Sequence, residues 1–272
     1  TDVLNTVKQL IVADPTAIPA VTVADTGMSV AEALIAAGQI SATDPMLVPL
    51  YSSANLLAGS VSLPYYSPVP TAENPLAPVN SFWKARCDSG ATLAGLAAAN
   101  PAAIPAEPVS TNDGFCMAFG LRDLGVDAER NLTKFNPIPQ VMTMAQVPVQ
   151  MTMPDVAVAN AVRASMGLPA DLVQPATGWP VVMLQHGITR QKEDMLAITG
   201  LLSVYGFATA AIDHPLHGAR GFDVNPLTDG DEINATTVSA AHYLNLQNML
   251  AGRDNGRQSV ADMLGCRVGL NF

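Results

Sequence analysis

Two uninterrupted apolar runs, Pro180 to Leu184 and Phe207 to Ile212, stand either side of a helical stretch, and together they constrain the fold more than any other feature of the chain. Neither run alternates. Continuous apolar character suits a strand covered on both faces, as in a parallel sheet. Between the runs Met195, Ile198, Leu202 and Tyr205 recur at three- and four-residue steps, and Gly206 stands where a left-handed cap closes a helix. The spacing predicts strand, helix and parallel strand across Trp179 to Asp223. Such units are almost always right-handed crossovers, and their sheets bind ligands beyond the carboxyl ends of the strands. Both ends carry polar clusters: Gln185-His186-Gly187 after the first run and Asp213-His214-Pro215-Leu216-His217-Gly218 after the second.

The residues GWPVVMLQHGITR and FATAAIDHPLHG resemble the third and fourth strands of the α/β-hydrolases, and among these the bacterial extracellular, virulence-factor type lipases. The resemblance extends to SVSLPYYSPV (60–69), NSFWKA (80–85), FNPIP (135–139) and RDNGRQSVADML (253–264). It implies an α/β chain with a partial α/β-hydrolase fold: the first strands of a mostly parallel sheet with flanking helices, preceded by a helical or irregular N-terminal elaboration. Residues 1–57 are then a helical segment, the end of an upstream region. Residues 58–272 are an incomplete hydrolase domain with a Pro/Ala-rich insertion at about 67–134. The implied activity is serine-dependent hydrolysis of carboxylic esters, lipid acyl esters above all, without a cofactor, by a secreted or cell-surface protein that contacts a lipid or membrane surface. No signal sequence is present in the chain.

Ester hydrolysis builds negative charge on the former carbonyl oxygen, and fixed amide donors aimed at it lower the barrier by roughly 3–4 kcal/mol each. In the family the loop after the third strand supplies one donor, which the resemblance carries to Ile188 or Gly187, with His186 shaping the turn. The same likeness sets Asp213, His214 and His217 at the mouth of the site, in contact with substrate. The nucleophile is missing: no G-x-S-x-G elbow occurs, and the nearest approach, Gly27-Met28-Ser29-Val30-Ala31, precedes every candidate strand. The resemblance therefore implies a triad outside these residues, with the helical pattern 255–268 preceding the nucleophile strand. Two alternatives stay open. One is a non-catalytic surface or interaction protein on the same scaffold; the other is a metal-dependent hydrolase using Asp213, His214 and His217, although His214 and His217 straddle Pro215.

The net charge of −10 gives no basic stripe for phosphates, which argues against nucleic acid. No apolar run reaches the roughly 18 residues of a membrane span. If the chain is exported, a Cys87–Cys116 disulfide closes a loop around a Pro/Ala/Ser-rich stretch; the alternative is three reduced, buried thiols including Cys266. Elsewhere Val3, Leu4, Val7, Leu10 and Ile11 share one helical face, and Ser29 to Glu32 forms a capping box that starts a helix over 30–37, stopped at Gly38. Residues 60–66 and 147–153 are candidate strands, antiparallel to each other by the resemblance. Residues 43–57 read as irregular or weakly helical, 82–112 and 116–124 as short helices and 155–178 as a loop. The segment 218–232 reads as a long loop covering a site, and 238–250 and 255–268 as helices.

Overall fold

The computed structural model describes residues 2–14, 18–225 and 232–270. In chain order the elements are α1 (Asp2–Ala13), β1 (Thr22–Ser29), α2 (Val30–Ala36), α3 (Leu47–Ser52), β2 (Ala54–Tyr65), α4 (Ala77–Asn80), α5 (Gly90–Ala99), α6 (Thr111–Ala118), β3 (Thr143–Pro154), α7 (Val156–Ser165), β4 (Val181–Leu184), α8 (Leu196–Val204), β5 (Ala208–Ile212), α9 (Ala241–Leu244) and α10 (Met249–Gly269). The fold class is α/β. The strands form one five-stranded open sheet in the order β1-β2-β3-β5-β4.

This sheet is mostly antiparallel, which corrects the expected parallel one. β1 pairs antiparallel with β2, β3 antiparallel with β5, and β4 alone runs parallel to β5. The reason lies in the connections. A parallel neighbour needs a crossover that carries the chain back to the end where the first strand began. α8 does this between β4 and β5, whose register pairs Val181 with Ala208. Between β1 and β2 two short helices intervene, and the chain re-enters beside the residue where it left, Asn55 opposite Ser29.

Local signals explain several helix starts. Ser29 and Glu32 form the predicted capping box, and Gly38 follows with φ +68°. The loop expected over 155–178 instead begins with α7, because the Asp155 side chain accepts the amide of Val158 and caps it. Residues 43–57 hold α3 and the start of β2, and β1 has no apolar alternation to betray it, since nearly all of its side chains are exposed. The helix expected over 238–250 is cut to the four residues of α9, whereas α10 starts earlier than 255. Of the covering loop expected over 218–232, residues 226–231 lie outside the described residues.

The chain clusters into two compact units. The first joins residues 1–18, 63–145 and 241–265. Its centre is Trp83, fully buried, whose amide donates to Asp254 at 3.0 Å and whose indole donates to Ser67 at 2.9 Å. Asp254 also accepts from Arg253 and Arg257, forming an internal ion-pair cluster. Cys87 and Cys116 are joined in a disulfide packed against Ile138, and Cys266 is a buried thiol. The second unit joins 19–62, 146–240 and 266–272, with a core in which Val30, Leu34, Tyr51 and Leu196 meet. The domain boundary expected near residue 57 falls inside β2.

Candidate functional site beyond the parallel strands

Because β4 and β5 are parallel, the residues that follow them emerge at the same end of the sheet. Each strand is followed by a turn of the same kind. After β4 the amide of Arg190 donates to the carbonyl of Gly187 at 3.1 Å, with Thr189 at φ +68°. After β5 the amide of His217 donates to the carbonyl of His214 at 3.2 Å, with Leu216 at φ +61°. One positive φ at the second central residue defines a type II turn, and Pro215 occupies the first central position that such turns favour. Glycine is the ordinary residue at the second. Thr189, being β-branched, is a backbone outlier there, of the sort that costs about 1–3 kcal/mol and persists only where its surroundings hold it.

Imidazoles supply much of that hold. Thr189 donates its amide to Nε2 of His217 at 3.3 Å, so that nitrogen carries a lone pair and the ring proton sits on Nδ1, which donates to the Pro215 carbonyl at 2.9 Å. His186 repeats the pattern: its Nε2 accepts the His214 amide at 3.0 Å, and its Nδ1 donates to the Gly187 carbonyl at 2.8 Å. The third ring, His214, places Nε2 3.1 Å from the His186 carbonyl and 2.9 Å from the Gln185 amide nitrogen. The three rings lie 4.6, 5.2 and 5.7 Å apart, centroid to centroid. All three are buried. Burial pulls His214 down to about 4, and His186 beside it adds to the effect. His217 is also lowered, chiefly by burial, against the hydrogen bond to Pro215.

Asp213 anchors the second turn from below. One carboxylate oxygen accepts the Lys192 amide at 2.7 Å; the other accepts Lys192 Nζ at 3.1 Å and the Ala219 amide at 3.2 Å. Its carbonyl accepts from Arg220 at 2.8 Å. A side chain at position 218 would come within 2.7 Å of the carboxylate, so glycine is required there. Burial works against the Lys192 ammonium, but the hydrogen bond it donates to Glu193 and the charge of Asp213 outweigh it and raise its pKa.

The sequence placed Asp213, His214 and His217 at the mouth of the site, in contact with substrate. In this structure they are covered, with 0%, 8% and 0% of their surface exposed, and their polar atoms bind protein groups. They brace the turns. The same partners count against the metal reading, because the Asp213 oxygens and both His217 nitrogens face N–H or C=O groups of the chain. Among the described residues no three His, Cys, Asp or Glu side chains are grouped to hold a metal ion.

No family model matches this chain, and no curated protein or solved structure matches it either.

What faces outward is the first turn. Gly187 to Arg190 are exposed, Ile188 at 41%. Within it the Thr189 and Arg190 amides are engaged, whereas the amides of Gly187 and Ile188 meet no acceptor among the described residues. A β-carbon placed on Gly187 would meet nothing within 4 Å, so open space lies in front of it. Two consecutive unengaged N–H groups beyond a parallel strand are an arrangement able to bind an oxyanion.

Thr236 is the residue that sequence reasoning missed. Its hydroxyl donates to the Arg190 carbonyl at 2.8 Å and accepts the Gly218 amide at 3.0 Å, tying the two turns together. Asn234 supports it: its carboxamide oxygen accepts the Thr236 amide at 2.9 Å and its nitrogen donates to the Gly218 carbonyl at 3.0 Å. The Asn234-Ala235-Thr236 triplet, legible as a glycosylation sequon, is thus an internal clasp, with Asn234 buried.

Proposed function

We propose that this chain carries the oxyanion-binding loop of a serine-dependent carboxylic ester hydrolase of the α/β-hydrolase kind, acting on lipid or other acyl esters at the cell surface or outside the cell. The observation that carries the reading is the pair of amides at Gly187 and Ile188, which meet no acceptor among the described residues and are exposed beyond the parallel strands β4 and β5. As a nucleophile attacks the ester carbonyl, the oxygen gains negative charge and the two N–H groups stabilise it more strongly than the ground-state carbonyl. The glycine keeps the approach open. His186, through Nδ1, fixes the Gly187 carbonyl and hence the peptide plane that presents the Ile188 amide.

The roles of nucleophile, base and acid are assigned to no residue here, since the 272 residues contain no G-x-S-x-G. That absence also favours a second reading, a non-catalytic interaction protein on the same scaffold.

One substitution separates the two. Ile188 is the first central residue of a type II turn, a place where proline is favoured, so Ile188→Pro deletes one N–H while keeping the turn. In the longest natural protein containing this chain, a fluorophosphonate should label a serine by intact mass. Ile188→Pro should lower kcat on a p-nitrophenyl ester about a hundredfold or more, with little change in KM. Absence of both labelling and turnover in that protein would leave the non-catalytic reading.

A further inference from the structure

The amides of Gly187 and Ile188 are useful to an oxyanion only if the turn that presents them does not relax, and that turn contains a threonine in a conformation threonine disfavours. Something must hold it. The β5 side offers two contacts, one to each of the last two residues of the turn. His217 Nε2 accepts the Thr189 amide at 3.3 Å, and the Thr236 hydroxyl donates to the Arg190 carbonyl at 2.8 Å.

We propose that His217 and Thr236 are the positioning residues of the Gly187–Ile188 amide pair, clamping the exposed turn at Thr189 and Arg190 from the loop that follows β5. The inference rests on the reading of those amides as the oxyanion donors, and it adds which side chains set them.

The chemistry of the clamp is specific. His217 must accept, and its acceptor state is fixed from behind, because Nδ1 donates to Pro215 and leaves Nε2 with the lone pair. His217 is fully buried, so water does not compete for that lone pair. Thr236 uses both capacities of one hydroxyl, accepting from Gly218 and donating to Arg190. Gly218 is also the glycine packed on the Asp213 carboxylate. The route from the buried anchor to the exposed turn therefore runs from Asp213 through Gly218 and Thr236 to Arg190, with His217 as a second, parallel tie.

The clamp is read by amide hydrogen exchange on the whole 272-residue chain, residue by residue, by NMR. In the native chain Thr189 and Arg190 should exchange more slowly than Gly187 and Ile188. His217→Leu, which keeps bulk and loses the acceptor, should speed Thr189 exchange about five- to tenfold and shift the Gly187 and Ile188 amide resonances. His217→Gln, which can place an oxygen near the former Nε2, should restore protection; rescue by an acceptor is not expected if His217 merely fills space. Thr236→Val, at a half-buried site, should speed Arg190 exchange by a similar factor. Native exchange at Thr189 in His217→Leu overturns the proposal. If that variant does not fold, Thr189 exchanging freely in His217→Gln, or Arg190 at its native rate in Thr236→Val, overturns it instead. No ester enters these measurements, so they stand or fall apart from the labelling experiment.

Discussion

The turns after β4 and β5 share one hydrogen-bond pattern and one backbone signature, a non-glycine residue with φ near +65° at the second central position. Their surroundings are opposite. Leu216 is fully buried, Pro215 precedes it, and Asp213, His217 and the Ala235 amide, which donates to the Leu216 carbonyl at 2.6 Å, close around it. Thr189 and Ile188 are exposed, and the amides of Gly187 and Ile188 meet no acceptor among the described residues. The same local geometry thus serves two ends. In the second turn the strain is offset by burial of a leucine side chain, and the turn is a brace. In the first the strain is held by contacts reaching across from the second, and the turn presents donors.

The largest expected difference between them is in truncation. Leu216→Ala should cost about 2–5 kcal/mol of stability, because it empties a fully covered core position. Ile188→Ala, at 41% exposed, should stay within about 0.5 kcal/mol. Urea midpoints for the two variants measure this, and comparable losses would end the distinction between brace and presenting turn.

A smaller effect comes from acid. The folded chain keeps His214 neutral to about pH 4, whereas the unfolded chain takes up its proton near 6.5. Between those values the unfolded state binds more protons, so this stability is present above pH 6.5 and is lost as the pH falls towards 4, by up to about 1.4 kcal/mol per pH unit. His217 is lowered in the same direction and steepens the loss. Urea midpoints at pH 7 and pH 5 should fall apart in the native chain and draw closer in His214→Gln. An unchanged pH slope in that variant would move the acid sensitivity away from the brace.

The smallest effect is at Thr189, where a change to glycine should act with the opposite sign to the same change at Leu216. Thr189→Gly should raise stability by about 1 kcal/mol, the relieved strain exceeding the entropy that glycine adds to the unfolded chain. Leu216→Gly has the same backbone benefit and should still destabilise, because the leucine side chain is lost from the core. Thermal unfolding of the pair gives the two signs directly. If Thr189→Gly also destabilises, the threonine side chain has contacts that matter more than its backbone.

Much of this site is legible in the sequence. The apolar runs at 180–184 and 207–212 with a helix between them correspond to β4, α8 and β5, the strands a parallel pair, although Ile198 and Tyr205 of the expected stripe are exposed and α8 buries Leu196, Thr199 and Val204 instead. Continuous apolar character is a local property, and so is the Ser29–Glu32 capping box, which forms as read. The polar clusters QHG and DHPLHG fall at the strand ends because a strand stops where its apolar run stops. Two imidazoles and a carboxylate within the five residues from Asp213 to His217 invite a substrate or metal reading, yet they are buried, with Asp213 accepting the Lys192 and Ala219 amides and His217 the Thr189 amide.

Sequence alone determined the elements whose causes lie within a few residues: the parallel unit, the capped helix α2, and the glycines at 38 and 206 that close helices with positive φ. Tertiary structure decided the rest, for reasons of distance along the chain. The antiparallel edge of the sheet depends on where the chain re-enters after α3, the disulfide on which cysteines meet, and the φ of Thr189 on ties from His217 and Thr236, 28 and 46 residues from their partners. A hydrogen bond that joins two loops leaves no periodicity in either. It exists only once both strands are in the sheet.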